Sequence, residues 1–107
     1  WAPFFNNGDN LTSKIYICAR NYYAINKKKK INISITLFGG FTKEKVQIVK
    51  NINENENLEL NISKILKNKN WKSDYGWIYI TFKEPNHNTV FYSSEYENSS
   101  IIFNHAF

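Results

Sequence analysis

The stretch "DYGWIYITFKEPNHNTVFYSSEY", residues 74–96, decides how the chain is read. Two runs of alternating side chains flank a short polar break containing Pro85. Alternation with period two marks half-buried β-strands, and Pro suits a turn. The stretch therefore predicts a β-hairpin with residues 84–87 as its loop. In that register Ile80 faces Phe91, Phe82 faces Thr89 and Ile78 faces Ser93 on the core side. On the opposite face Tyr79 lies across from Tyr92, Thr81 from Val90 and Trp77 from Ser94. Trp77 and Tyr92 become diagonal neighbours, within reach for large rings. The expected result is an aromatic patch of Trp77, Tyr79, Tyr92 and Val90 facing away from the core, which Trp71 and Tyr75 could extend.

The same period runs through the rest of the chain. "INISITLF" (31–38) turns Ile31, Ile33, Ile35 and Leu37 one way and Asn32, Ser34 and Thr36 the other. That is a strand of a sheet with one wet face. "KIYICAR" (14–20) places Ile15, Ile17 and Ala19 on one face, Tyr16 and Cys18 on the other. Val46 and Ile48, then Leu58, Leu60 and Ile62, then Ile101 and Phe103 continue the pattern. Gly39-Gly40 reads as a tight hairpin turn, because Gly tolerates positive φ. A two-residue loop there would pair Ile35 with Glu44, which favours a longer loop. "NINENEN" (51–57) reads as a loop, and "NKKKK" (26–30) as the link between the "KIYICAR" and "INISITLF" strands. Leu58, Ile62, Ile65 and Leu66 also fit helical spacing, so a short helical turn through "SKIL" is expected after a strand ending near residue 62.

About seven strands at regular spacing predict an all-β fold: a single β-sandwich of antiparallel strands over residues 1–107. The order of elements has the general look of immunoglobulin-like or carbohydrate-module sandwiches. That likeness is one of architecture only. The Cys pair flanking a buried Trp is missing, so an antibody-type domain is excluded.

A chain of 107 residues suits one domain able to build its own core. At 42% hydrophobic and 17% aromatic residues, it has the composition of an ordered chain. It begins at Trp1 and contains no Met, which suggests processing or excision from a longer protein. No apolar run approaches the roughly 20 residues of a membrane span. The sequence does not indicate a compartment. Four Asn-x-Ser/Thr triplets, at Asn10, Asn32, Asn61 and Asn98, decide nothing in so Asn-rich a chain, and Asn32 and Asn61 fall in predicted strands.

Catalytic chemistry is poorly supplied, and the reading is of a non-enzyme. His87 lies in the predicted loop and His105 near the C-terminus. Cys18, the single cysteine, sits mid-strand with no helix N-terminus to activate it. No carboxylate pair, glycine-rich phosphate loop or zinc-ligand spacing stands out. "NNGDN" (6–10) is rich in oxygen donors but reads better as a Gly-Asp turn than as a Ca²⁺ site. No cofactor and no metal is implied. The net charge of +5 comes from thirteen Lys and a single Arg. The scarcity of Arg argues against nucleic acid as the partner.

What remains is the ring patch. Each ring covers roughly 150–250 Å², and monomers rarely leave several such rings bare together. Three readings compete: cover by "WAPFF" or a loop, docking on another chain or domain, and a sugar platform. The function expected is a non-catalytic binding module recognising carbohydrate through this aromatic face. The candidate ligand residues are Trp77, Tyr79, Tyr92, Trp71, Tyr75 and Asn88, with Asn86, Ser94 and Thr81 as further polar partners. The alternative is an assembly module whose same face docks on a partner protein or, by two-fold pairing, on a copy of itself.

Overall fold

The computed structural model describes residues 1–6, 11–21, 30–53, 56–96 and 101–105. The elements in chain order are β1 (Ala2–Phe5), β2 (Leu11–Asn21), β3 (Ile31–Gly39), β4 (Lys45–Ile52), β5 (Asn57–Asn61), α1 (Ile62–Lys67), β6 (Tyr75–Phe82), β7 (Asn86–Tyr96) and β8 (Ile101–His105). They form two four-stranded antiparallel sheets. Sheet A has the order β1-β6-β3-β4 and sheet B the order β5-β2-β7-β8. This mostly β architecture is compatible with a sandwich.

The two sheets share one hydrophobic core. Sheet A contributes Ala2, Phe4, Ile31, Ile33, Ile35, Leu37, Ile52 and Ile78; sheet B contributes Ile15, Ile17, Ala19, Leu60 and Val90. In β3 each of the four alternating aliphatics is fully buried, because β3 is central and its inward face meets the opposite sheet. Helix α1 adds Ile62 and Leu66 to the same core. Asn61 starts the helix by accepting from the Lys64 N–H at 2.9 Å, an N-cap. The strand-then-helix switch expected near residue 62 is thus present.

The connection between β3 and β4 is longer than two residues. Phe38 pairs with Lys45, and the Gly39 N–H donates to the Glu44 carbonyl at 2.9 Å. Ile35 therefore meets Ile48 rather than Glu44. Glu44 itself pins this loop. Its carboxylate accepts from the N–H of Lys72 at 2.8 Å, from the N–H and hydroxyl of Ser73 at 3.0 Å each, and from the Thr42 hydroxyl at 2.8 Å.

The hairpin expected over residues 74–96 does not form. β6 pairs with β1 and β3 in sheet A, whereas β7 pairs with β2 and β8 in sheet B. The segment Lys83–Pro85 carries the chain from one sheet to the other. Its Lys83 N–H still donates to the Asn32 carbonyl at 3.0 Å, so the break comes after Lys83. Tyr79 faces Thr36 and Tyr92 faces Ile15; the two rings are on different sheets. The cause is that alternation fixes which side chains share a face of one strand and leaves the partner strand open.

Candidate aromatic face

In β6 the parity is as expected. Ile78 is buried and Ile80 packs against the core, while Trp77 and Tyr79 point out at 47% and 39% exposure. In β7 the parity is reversed. Val90 is buried and Tyr92 packs against the core, so neither belongs to an outward patch. β7 carries apolar groups on both parities, with Phe91 on the other, and the opposing sheet selects Val90 and Tyr92.

The structure places other rings beside Trp77 and Tyr79. β1 lies along β6 with Ala2 opposite Ile78 and Phe4 opposite Gly76. Ala2 and Phe4 are buried, so Pro3 and Phe5 face outward with Trp1 ahead of them. Trp1 stacks on Tyr79 with centroids 4.5 Å apart, and reaches Phe38 of β3 at 6.1 Å. Across the sheet, one row of the outer face reads Pro3, Trp77, Phe38, Lys45. The next reads Tyr79, Thr36, Gln47, with Trp1 stacked at its β1 end. The third reads Thr81, Ser34, Val49, and past the end of β6 Lys83 aligns with Asn32 and Asn51.

The "WAPFF" segment thus joins the ring face as its edge strand, instead of lying over it. Trp1 covers part of Tyr79 yet is itself 56% exposed. Thr36 points to this face and is nevertheless buried, flanked by Tyr79 and Gln47 on the neighbouring strands. Lys45 holds its ammonium 5.8 Å from the centre of the Phe38 ring, a cation–π arrangement. Phe41 meets Tyr75 edge-on at 5.0 Å and extends the ring face toward the loop of residues 40–44. Among the described residues seven large apolar side chains are well exposed. Six of them, Trp1, Phe5, Phe41, Val49, Trp77 and Tyr79, belong to this side of sheet A.

Beside the rings the surface dips. A shallow hollow of about 210 Å³ is lined by Asn32, Ser34, Val49, Thr81 and Lys83, with Ile33 and Phe82 beneath. It forms where the outer row changes from rings to short side chains. Gln47 donates to the Ser34 hydroxyl at 3.1 Å across its margin. At the far end Glu84 is locked to β3: one oxygen accepts the Asn32 N–H at 2.7 Å, the other the Asn32 side-chain amide at 2.6 Å. Burial disfavours the Glu84 carboxylate, but these hydrogen bonds and the nearby Lys83 outweigh it and hold its pKa below the usual value.

The remaining candidate residues separate. Trp71 is turned inward against Phe4 at 5.9 Å, and its indole N–H is buried with no acceptor among the described residues. It is a core-side ring and does not extend the outer face. Tyr75 does share that face. Asn88 lies in sheet B opposite Ala19 and donates to Asn86 at 2.9 Å, far from Trp77 in the topology. Ser94, also in sheet B, is buried opposite Ser13. Trp1 and Phe38 were missed. Their outward parity is readable within each strand, but nothing local says that both strands flank β6.

The other outer face is different in kind. On sheet B, Lys14 lies between Glu59 at 3.4 Å and Glu95 at 3.5 Å. Cys18 is half-buried on that side. By register its Cα lies two strands and two residues from that of His105, about 12 Å away. The "NNGDN" turn beyond Asn6, and Lys27 to Lys29, lie outside the described residues. Among the described residues no group of three His, Cys, Asp or Glu side chains could hold a metal, and no helix is long and apolar enough to cross a membrane. No protein-family model, curated protein or solved structure matches the chain.

Proposed function

We propose that this chain is a non-catalytic binding module that takes a carbohydrate chain on the outer face of sheet A. The observation that carries the reading is the concentration of exposed rings there, Trp1, Trp77 and Tyr79, next to a hollow lined by Ser34, Thr81 and Asn32. Sugar rings present C–H faces that lie against indole and phenol, while their hydroxyls need short polar partners. Both are adjacent on one sheet face. The hollow, at about 210 Å³, is smaller than a whole ligand pocket and suits one substituent of a chain lying along the surface. The likeness to carbohydrate-module sandwiches is an analogy of architecture and adds nothing to this argument.

One measure favours the assembly reading. The exposed apolar side chains of this face amount to on the order of 600–700 Å², near the roughly 800 Å² per partner of a standard interface. Charge weighs against a second copy as occupant. Lys45 and Lys83 belong to the same side, and two-fold pairing would bring lysines toward lysines.

A polysaccharide array with wild type, Trp77→Ala and Tyr79→Ala tests the proposal, alongside light scattering of the eluting protein. The expected outcome is a monomer at micromolar concentration whose glycan binding weakens at least tenfold in either variant. A stable dimer dissociated by Trp77→Ala, with no glycan bound, would replace this reading by the assembly one.

A further inference from the structure

We infer that the glycan taken by this face is an acidic polysaccharide, its anionic groups held by Lys45 and Lys83 at the two ends of the ring surface. The inference rests on the carbohydrate reading above and adds the chemical class. Two contrasts carry it.

The first is between the faces. Sheet B neutralises its outward lysine, Lys14, with two carboxylates. Sheet A does not. Among the described residues no ion pair engages Lys43, Lys45 or Lys83. The carboxylates nearest in the chain, Glu44 and Glu84, are committed elsewhere. Glu44 accepts from Lys72, Ser73 and Thr42, and Glu84 accepts twice from Asn32. Lys83 feels the charge of Glu84 without forming an ion pair with it, while Glu84 accepts twice from Asn32. The face therefore offers stacking rings and two cations outside any ion pair, with the hydrogen-bonded carboxylates of Glu44 and Glu84 at its margins.

The second contrast is geometric. Lys45 stands opposite Phe38, and Lys83 aligns with Asn32 six residues along the same strand. At 3.3–3.4 Å per residue this separates the two ammonium-bearing positions by roughly 20 Å. Trp77, Trp1 and Tyr79 occupy the Lys45 end, and the hollow adjoins Lys83. A single sugar cannot span that distance. A chain with repeating carboxylates or sulfates can place rings on the indoles, one acidic group beside Lys45, and another in the hollow beside Lys83.

A single-stranded nucleic acid is also a polyanion with stackable rings. The chain's single Arg, Arg20, lies on β2 of the other sheet and donates to the Ala19 carbonyl at 2.9 Å. The ring face thus lacks the guanidinium that usually reads phosphate.

The test uses two matched pairs: polygalacturonate against its methyl ester, and hyaluronate against its methyl ester. Esterification removes charge and leaves the backbone. Binding is measured by calorimetry in 50 mM and 500 mM NaCl. At least one acid form is expected to bind tenfold or more tighter than its ester at low salt, with the gap closing at high salt. The double variant Lys45→Ala/Lys83→Ala should close the gap by weakening the acid form at least tenfold more than its ester. The control Lys64→Ala/Lys67→Ala, on the exposed side of α1, should keep it. Equal binding of acid and ester, both lost in Trp77→Ala, would overturn the acidic assignment and leave the carbohydrate reading standing. An equal loss in the α1 control would overturn it as mere attraction to a basic protein. Displacement by oligo-dT would overturn it in favour of nucleic acid. No binding by any of the four polymers would overturn it together with the reading beneath it.

Discussion

Gly76 is where the ring face and the core meet, and replacing it by Ala is the sharpest test of how β6 packs between β1 and β3. Gly76 lies in β6 between Phe4 of β1 and Gly39 of β3. A β-carbon on Gly76 would fall 2.5 and 2.7 Å from two atoms of the buried Phe4 ring, and closer still to the backbone carbonyl of Phe38. The ring could turn. The carbonyl belongs to the neighbouring strand and can yield only if β3 and β6 move apart. Overpacking of this kind costs about 1–3 kcal/mol, and a backbone obstacle places it at the upper end. The entropic gain of Ala over Gly in a strand, about 0.5–1 kcal/mol, offsets only part. A net loss of about 2 kcal/mol in a domain of this size lowers Tm by roughly 8–16 °C. Gly39→Ala provides the internal standard. Its β-carbon would meet the hydroxyls of Thr42 and Ser73, side-chain ends that can turn away at the cost of their hydrogen bonds to Glu44 but without parting two strands. Gly40→Ala would meet the Tyr75 ring and should fall between the two. Thermal and urea unfolding, followed by circular dichroism, give the ranking. If Gly76→Ala melts within about 2 °C of wild type, or above Gly39→Ala, the approach of β3 to β6 is wrong.

Two further outcomes follow from other parts of the molecule. Burial disfavours ionised Glu44 and Glu84, yet hydrogen bonds from Lys72, Thr42 and Ser73 to the first and from Asn32 to the second hold both below the usual 4.5. A depressed folded-state pKa means stability fully present above the unfolded value and lost as pH falls through the folded one. Stability should be flat above about pH 5 and decline below about 4.5, and Glu44→Gln/Glu84→Gln should flatten that decline; an unchanged acid limb in urea titrations at pH 5, 4 and 3 refutes the roles given to these carboxylates. Lys50 sits on the core-facing parity of edge strand β4, opposite Ile33, and is exposed. A charge so placed blocks edge-to-edge pairing, so Lys50→Ile should raise light scattering on concentration while the melting temperature stays within a few degrees or rises; an unaltered scattering profile counts against that guard.

The strands were largely legible, because their evidence is local. Ile31, Ile33, Ile35 and Leu37 announce both the strand and its buried face, and the structure buries all four. Ile15, Ile17 and Ala19 do the same for β2. The inward parity of Ile78 turns its neighbours Trp77 and Tyr79 outward, and both are exposed. Where a strand is apolar on both parities the signal vanishes. Val90 and Tyr92 compete with Phe91 in β7, and the choice is made by the sheet opposite. The four-residue β1 is too short for alternation to declare it, although Ala2 and Phe4 anchor it at 1% exposure each.

Membership of a common face is a different kind of information from parity. Trp77 and Phe38 are neighbours because β6 lies beside β3, and Trp1 joins them because β1 lies on the far side of β6. The Phe38–Trp77 pairing and the Trp1–Tyr79 stack span 39 and 78 residues of chain, and no short window of sequence contains them. Lys83–Pro85 illustrates the ambiguity: a short polar break with Pro serves equally as a hairpin turn or as the corner between two sheets. Once the corner is known, Tyr92 leaves the ring face and Trp1 and Phe38 enter it. The chemistry of the face shifts with that exchange. A hairpin patch would have been a ladder of rings on two sequence-adjacent strands. The observed face is built from three distant segments, with Lys45 beyond one end and Lys83 beyond the other. Any ligand that depends on both rings and both lysines therefore reports on the tertiary fold, and its loss on partial unfolding should precede the loss of β-sheet signal wherever edge strand β1 frays first.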